Sequence, residues 1–493
     1  MLTPPPSSFL WNDRIVTPDD VAPGRLLLDY LRRDLRSVGT KEGCREGDCG
    51  ACAVLLGELG KDGTVTYRAV PSCMVLVGHV AGRHVVTIEG LNPGRGLSPV
   101  QAAVVEHGGS QCGFCTPGFI ISFTGFLLNA TEFTTEEAKS SIAGNLCRCT
   151  GYVSLVRAGA AIASHFEGLT APGAGRIETL VATGALPTCF DGAANKLASI
   201  QTPDLPYGSA ESSSDLRTPF AGPLGGGTDL IVQQGAKLDE LAPRILFRSE
   251  EERAPYLEGD QLVLPGDTTF EDLHRCQTFT QLWPMAAVDL ERFASGLIRE
   301  RATVAGNIAN ASPIADGTAM LLALGAELEL TTSQGAATRR LALGKLFLGY
   351  KQLALEPKET IHAIRIPGEL APGRHFSFEK VSKREYLDIA TVTTGFSATL
   401  HEGTFECVLL SAGGVGPTPM LLEQTASFLE GKPVCAASVL EAAAVIDTEI
   451  APISDVRGSA DYKRLLLRQL FFAHVLKLFP DLITESGLME VSA

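Results

Sequence analysis

Eight of the twelve cysteines lie before residue 150, in two tight groups. The later group opens with Gln111-Cys112-Gly113-Phe114-Cys115-Thr116-Pro117-Gly118 and closes with Asn145-Leu146-Cys147-Arg148-Cys149-Thr150-Gly151-Tyr152. It reads C-x2-C, a long helical insert, then C-x-C. Four thiolates converging from two turns would make a closed metal site. Thr116-Pro117 reads as an N-cap followed by proline at the first helical position, which sets Cys115 just ahead of a helix N-terminus. That end of a helix favours anions, and a [2Fe-2S] centre held by four thiolates is an anion. Tetrahedral zinc is the rival for four cysteines taken alone.

The earlier group is more specific. Gly43-Cys44-Arg45-Glu46-Gly47-Asp48-Cys49-Gly50-Ala51-Cys52 is followed, after a hairpin over 51–68, by Cys73. This C-x4-C-x2-C…C pattern is the plant-type ferredoxin ligand spacing. Glycines at 43, 47 and 50 let the backbone wrap closely and aim N–H groups at cluster sulfurs, which paired zinc knuckles do not require. An iron–sulfur site next door in sequence weakens the zinc reading of the later group. Cys189, Cys276, Cys407 and Cys435 are scattered singly and read as buried or incidental thiols.

The elements that must hold these residues follow from periodicity. Residues 9–16 and 51–56 read as strands, and Arg25–Arg36 places Leu26, Leu27, Tyr30, Leu31 and Leu35 at helical spacing. A small sheet crossed by a helix results. Ser98-Pro99 caps a helix to about His107, Pro117 begins another to about Asn129, Thr134-x-x-Glu137 is a capping box, and Ser154–Phe166 is a fourth apolar-striped helix. Residues 1–89 and 90–167 are thus two cysteine-bearing domains. Residues 168–217 turn rich in Ala, Gly, Pro, Ser and Thr and read as a linker, with short helices expected around 177–186 and 195–200.

Length is consistent with several domains, and composition restricts partners. A formal charge of −15 and a pI near 5.2, with no basic stripe, argue against nucleic-acid or anionic-membrane surfaces. The start has no charged n-region leading into an apolar run, and Phe119–Leu128 is too short to span a bilayer. The expectation is a soluble cytoplasmic protein that binds neither nucleic acid nor membrane.

Beyond Thr218, Gly225-Gly226-Gly227-Thr228-Asp229-Leu230 is a glycine turn entering an apolar stretch, and Thr303 to Asp316 is a small-residue loop. Each could lay backbone amides around a phosphate. The dinucleotide fingerprint G-x-G-x-x-G fails, because Leu230 occupies the third glycine position. Tight turns without a ligand are the plain alternative. After Pro367, segments 374–381, 392–400 and 405–411 read as strands, and Ala436–Ile446 and Tyr462–Phe479 as helices.

Lys41-Glu42-Gly43-Cys44 through Cys52, Gln111 to Gly118, and Gly144 to Tyr152 resemble the iron–sulfur part of the xanthine oxidase family of molybdenum hydroxylases. The resemblance implies an α+β multidomain fold. Its parts are a ferredoxin-like β-grasp domain, a four-helix iron–sulfur domain, a two-subdomain α+β FAD-binding domain at 218–370, and an α+β flavoprotein C-terminal domain at 371–493. It implies that Cys112, Cys115, Cys147 and Cys149 ligate a [2Fe-2S] cluster nearest a molybdopterin, with Gln111 and Cys149 facing it. Cys44, Cys49, Cys52 and Cys73 would hold a second cluster nearer the flavin. It further implies FAD contacts from Pro223, Leu224, Gly225, Gly226, Gly227, Thr228, Asp229 and Leu230, then Phe293, Thr303, Asn307, Asp316, Ile361 and Lys380. Phe293 and Ile361 would lie against the flavin ring; taken alone, Phe293 reads as core packing. Ala305 departs from the family's usual glycine. The loop Lys383–Ala390 resembles one that lies near the flavin ring and influences nicotinamide access.

The order iron–sulfur, iron–sulfur, flavin leaves the large molybdopterin region without a place on these residues. The resemblance therefore implies a molybdopterin-binding partner chain, in a heterotetramer of two small and two large chains. Electrons from hydroxylation of a purine would pass from molybdenum through the Cys112 cluster and the Cys44 cluster to FAD and on to NAD. No acid–base or nucleophilic constellation stands out, so no catalytic residue is assigned. An aldehyde, nicotinate-like or aromatic-acid substrate, or oxygen as acceptor, fits the same residues. A colourless zinc-stabilised interaction protein is the reading from a different class.

Overall fold

Leu, Val and Tyr recur through Ala53–Leu59 and Val65–Pro71, and these two stretches pair as the longest antiparallel ladder of the first sheet. The computed structural model describes residues 8–92, 94, 96–169, 172–200, 223–238, 245–332, 338–356, 359–368 and 374–492. The expected linker at 170–171 and 201–217, and the expected domain start at Thr218, lie outside them. As far as they are described, residues up to 200 group with 223–252 and 295–302 into one unit, and 253–294 with 303–492 into another.

In the first unit, β1 (Phe9–Trp11), β2 (Arg14–Val16), β3 (Ala53–Leu59), β4 (Val65–Pro71) and β5 (His84–Val86) form a sheet in the order β2-β1-β5-β3-β4. Only the β1–β5 pair is parallel. The strand expected over 9–16 is a tight hairpin, β1 turning into β2 at Asn12, whose φ is +52°. The helix expected over 25–36 is shorter and partly wider: α-helical at Leu27–Asp29, it continues as a π-turn over Tyr30–Asp34, with the Leu35 amide donating to the Tyr30 carbonyl at 3.1 Å. The wider turn keeps Leu27, Tyr30 and Leu31 buried against Phe9, Val54 and Val85.

Helices Pro99–Glu106, Thr116–Asn129, Thr135–Ser141 and Val153–His165 make the four-helix part. The second is buried throughout Gly118–Leu128, with Gly125 close against Ala69 of β4. Two cap details differ from expectation. Cys115, not Thr116, stands at the N-cap, because the Thr116 hydroxyl is hydrogen-bonded to Ser110 Oγ (2.8 Å). Thr134 accepts from the Glu137 amide, but the Glu137 carboxylate accepts from the Thr131 hydroxyl and leaves the box half closed. Helices at Ala174–Ala182 and Ala193–Ala198 occupy the described part of the linker, and Leu180, Leu197 and Ile200 enter the same core as Phe119 and Phe123.

The second unit contains β6 (Tyr256–Glu258), β7 (Gln261–Pro265), β8 (Glu327–Thr332), β9 (Thr338–Ala342) and, past the short hairpin β10 (Phe347–Gly349) and β11 (Gln352–Leu353), β12 (Glu359–Pro367). The order β6-β7-β12-β8-β9 is antiparallel throughout, with a bulge between Ile361 and Ala363. β13 (Arg374–Val381), β14 (Val392–His401), β15 (Thr404–Gly413) and β16 (Met420–Leu421) form a separate antiparallel sheet. Helix Asp316–Ala323 lies on it, held where Ser411 and Ser397 hydroxyls donate to the Ala319 and Ala323 carbonyls, each at 2.7 Å. Helix Ala460–Leu478 packs Leu467, Phe471 and Val475 into the core around Phe396 and Phe405. The whole is a mixed α+β chain. Among the described residues no helix is long and apolar enough to cross a membrane.

Candidate functional site

All eight clustered cysteines fall in the first unit and approach in pairs. Cys52 Sγ lies 3.3 Å from Cys73 Sγ, and side-chain hydrogen bonds join Cys44 with Cys49, Cys115 with Cys147 and Cys112 with Cys149. Among the described residues no group of three or more His, Cys, Asp or Glu is gathered at one point, and the cysteines are brought together two by two. Two pairs per set suit a two-iron cluster, in which each iron shares two sulfides and takes two thiolates.

Local backbone explains the wrap of the first set. Gly47 and Gly50 take φ of +81° and +63°, and a Cβ on Gly43 would sit 2.6 Å from Cys49 Sγ. The Glu46 amide donates to Cys44 Sγ at 3.3 Å. The hydrogen bond from Cys49, with these amides, holds the Cys44 thiol down at about 5, and Cys73 lowers Cys52 in the same way. Their donors, Cys49 and Cys73, are raised. Cys52 and Cys73 are buried, while Cys44 and Cys49 are half-buried.

The second set is turned outward. Cys112 and Cys149 are exposed, whereas Cys147 is buried; burial and then Cys147 push the Cys115 thiol up to about 12. The Thr150 hydroxyl donates to Cys147 Sγ (3.1 Å), and the Cys147 amide donates to Tyr152 Oη (3.0 Å). Tyr152 takes φ of +67° to enter helix Val153–His165. Phe114, Leu146, Tyr152 and Val153, close in sequence to these cysteines, are all exposed large apolar side chains.

The two sets are joined by backbone. The Leu146 amide donates to the Cys49 carbonyl at 2.9 Å, and buried Asn145 donates to the Gly50 carbonyl at 3.3 Å while accepting from Ser122 Oγ at 2.8 Å. A Cβ on Gly50 would meet the Asn145 side chain and the Gly144 carbonyl, each at 2.5 Å, and one on Gly118 would strike the Gly50 carbonyl. Asn145 stands inside the Gly144–Tyr152 segment, yet nothing in the sequence around it points to a partner at Gly50.

The expected flavin residues divide between the units. In the first, Leu224 bridges to Ile245, and Leu224, Ile231 and Leu238 share a buried cluster with Cys52, Cys73 and Met74. Gly225 follows, its carbonyl bonded to the ring of His79 (2.9 Å); Gly226 lies where any Cβ would strike the Arg301 carbonyl; Gly227 has φ of +73°. Helix Thr228–Leu238 then carries Thr228, Asp229 and Leu230 in its first turn, after Pro223 and the turn. His79, buried and solitary in an apolar stretch, gave no sequence signal.

In the second unit, Thr303 caps helix Val304–Asn310, its hydroxyl accepting from the Gly306 amide at 3.1 Å. Ala305 in that helix is buried, and its missing glycine does not disturb the cap. Asn307 Oδ1 accepts from both the amide and hydroxyl of Thr318, so this oxygen anchors the start of helix Asp316–Ala323. Asp316 pairs with Lys380 (2.7 Å), whose Nζ also donates to the Arg292 carbonyl at 3.0 Å. Burial pushes the Asp316 carboxyl up, with Lys380 pulling against it, and its Oδ1 has no partner among the described residues. Phe293 packs edge-on against Phe270 and tilted against Phe378. Ile361 borders the bulge of β12. The loop after β13 folds back, with the Leu387 amide donating to the Ala294 carbonyl beside Phe293.

Four family models match in succession. They are the 2Fe-2S iron-sulfur cluster binding domain over residues 10–77, the [2Fe-2S] binding domain over 87–160, the FAD binding domain in molybdopterin dehydrogenase over 210–369, and the CO dehydrogenase flavoprotein C-terminal domain over 377–478. Xanthine dehydrogenase of Blastobotrys adeninivorans is 28% identical, covering 94% of this chain and 40% of that protein. Xanthine dehydrogenase/oxidase of Rattus norvegicus is 29% identical over 96% of this chain and 39% of that protein. The chain thus spans about two-fifths of the length of these relatives. A solved Cu,Mo-CO dehydrogenase in its cyanide-inactivated form is similar over 51% of this chain and 87% of that one, at 28% identity and a TM-score of 0.47.

Proposed function

We propose that the chain, which carries two [2Fe-2S] binding domains and an FAD binding domain, belongs to the xanthine oxidase family of molybdenum hydroxylases and is the electron-transfer subunit of a xanthine dehydrogenase. Its partner is a molybdopterin-binding chain, the two assembling as two copies of each, in the cytoplasm, with NAD as final acceptor. When bound, the clusters relay single electrons and the flavin gathers two for a hydride acceptor.

One observation carries the reading: the hydrogen bond from Leu146 N–H to Cys49 C=O, which joins the neighbour of one proposed ligand, Cys147, to a ligand of the other set. Cys112 and Cys149 are exposed, as are the apolar side chains Phe114, Leu146, Tyr152 and Val153 close to them in sequence, which supports a docking partner at these residues. Cys115 is half-buried and Cys147 buried. Cys52 and Cys73 are buried in the cluster that includes Leu224 of the glycine turn. Gln111 stands beside Cys112 on the exposed side.

The proposed flavin contacts are residues 223–230, Phe293, Thr303, Asn307, Asp316, Ile361 and Lys380. The amides of the glycine turn and of the Thr303-capped helix serve phosphate, and the half-buried Asp316, paired with Lys380, serves a ligand donor. The loop Lys383–Ala390 influences access of the acceptor. The full chain alone is expected to oxidise NADH with an artificial dye and to leave xanthine untouched until a molybdopterin-bearing partner is added. Xanthine turnover by this chain alone would overturn the proposal. Faster flavin reoxidation by oxygen than by NAD in the complex would replace the acceptor.

A further inference from the structure

We propose that His79 is a positioning residue that sets the Gly225–Gly226 peptide to receive the flavin pyrophosphate. This rests on the reading of residues 223–230 as a flavin-binding turn. His79 and Gly225 belong to the same unit, although 146 positions separate them in sequence. The ring is fully buried. Its Nδ1 accepts the Leu76 amide at 3.1 Å, so the proton of the neutral ring is on Nε2, which donates to the Gly225 carbonyl at 2.9 Å. Burial, then the charge of Arg301, holds the ring neutral, which fixes this tautomer.

The orientation of one carbonyl settles that of the next amide. No peptide in the described chain is cis, and in a trans peptide the N–H points opposite to the C=O. With the Gly225 carbonyl tied to His79, the Gly226 N–H is turned away from the ferredoxin domain. Among the described residues the amides of Gly225, Gly226 and Gly227 donate to no protein acceptor, so the turn presents open donors. Gly226 cannot carry a side chain without striking the Arg301 carbonyl, which restricts the peptide from the other side. Removing the imidazole would leave the Gly225 carbonyl without its donor and free the peptide to rotate. The same histidine follows Cys73 in the chain by six residues, so one short segment supplies a proposed cluster ligand and the clamp on the turn.

The test is FAD titration of the full-length chain after flavin removal, with iron and acid-labile sulfide measured in parallel. His79→Ala is expected to weaken FAD about tenfold with iron and sulfide unchanged, and His79→Gln, which keeps an N–H donor, to recover most of the loss. Unaltered FAD affinity in His79→Ala, iron loss in step with flavin loss, or a glutamine variant no better than alanine would each overturn the proposal. Gly226→Ala separates the two levels. If it loses FAD while His79→Ala does not, only the role of His79 falls; if it too binds FAD normally, the flavin reading of the turn falls with it.

Discussion

The amide of Leu146 donates a 2.9 Å hydrogen bond to the carbonyl of Cys49, so a backbone hydrogen bond joins the two cysteine sets, one on a sheet loop and the other in the helical part. Asn145 secures that contact, buried and bonded on one side to the Gly50 carbonyl and on the other to Ser122. Asn145→Ala is expected to leave the buried Ser122 hydroxyl without its acceptor and the Gly50 carbonyl with only the Ala53 amide, and to cost about 1–3 kcal/mol. Urea unfolding followed by cluster absorbance checks this; an unchanged midpoint would count against the clamp.

Cys149→Ser is expected to abolish one iron–sulfur paramagnetic signal, because Cys149 completes the pair with Cys112. Cys276, between helices Phe270–Arg275 and Gln277–Leu282 in the second unit, has no such partner role, and Cys276→Ser should keep both signals. Loss of a signal in Cys276→Ser would show the ligand assignment to be wrong.

That the eight clustered cysteines come together was legible because their spacing is local: residues a few positions apart on a tight turn meet without tertiary information, and the structure brings them together in pairs. The strands and helices beyond residue 374 were readable for a similar reason, their apolar periods being long. What escaped depended on contacts distant in sequence. Nothing near His79 announces a partner at Gly225, and nothing near Leu224 announces burial with Cys52 and Cys73. Even local signals were overridden where a side chain found a better partner: the Thr116 hydroxyl went to Ser110 and the Glu137 carboxylate to Thr131, so neither made the expected cap. The role of Asn307 is of the same kind, since its carbonyl oxygen serves Thr318.

Lys380→Met should strand the Asp316 carboxylate. Lys380 is almost wholly buried and Asp316 largely so, and breaking such a pair from one side costs about 3–5 kcal/mol. Lys380→Met combined with Asp316→Asn should recover part of that loss in denaturant unfolding, whereas additive losses would show that the ion pair is not the source.

Asp289 gives the second unit a pH dependence. Burial raises its carboxyl to about 6, against the charges of Lys477 and Arg292 and with that of Glu379 nearby, and Oδ2 has no hydrogen-bond partner among the described residues. Because the folded value lies above the ordinary one, the folded state binds more protons between them. The contribution to stability is therefore complete below the ordinary carboxylate range and lost as pH rises through about 6. Asp289→Asn should gain on the unaltered chain by about 2 kcal/mol between pH 4 and pH 8. Parallel stability profiles for the two proteins would remove Asp289 as the cause.

The most direct test of the central claim is metal, sulfide and flavin analysis of the purified full chain, joined to paramagnetic resonance of the reduced protein. Two distinct [2Fe-2S] signals, matching iron and acid-labile sulfide, and one FAD per chain are expected. Zinc in both cysteine sets, with no sulfide and no flavin, would contradict that claim.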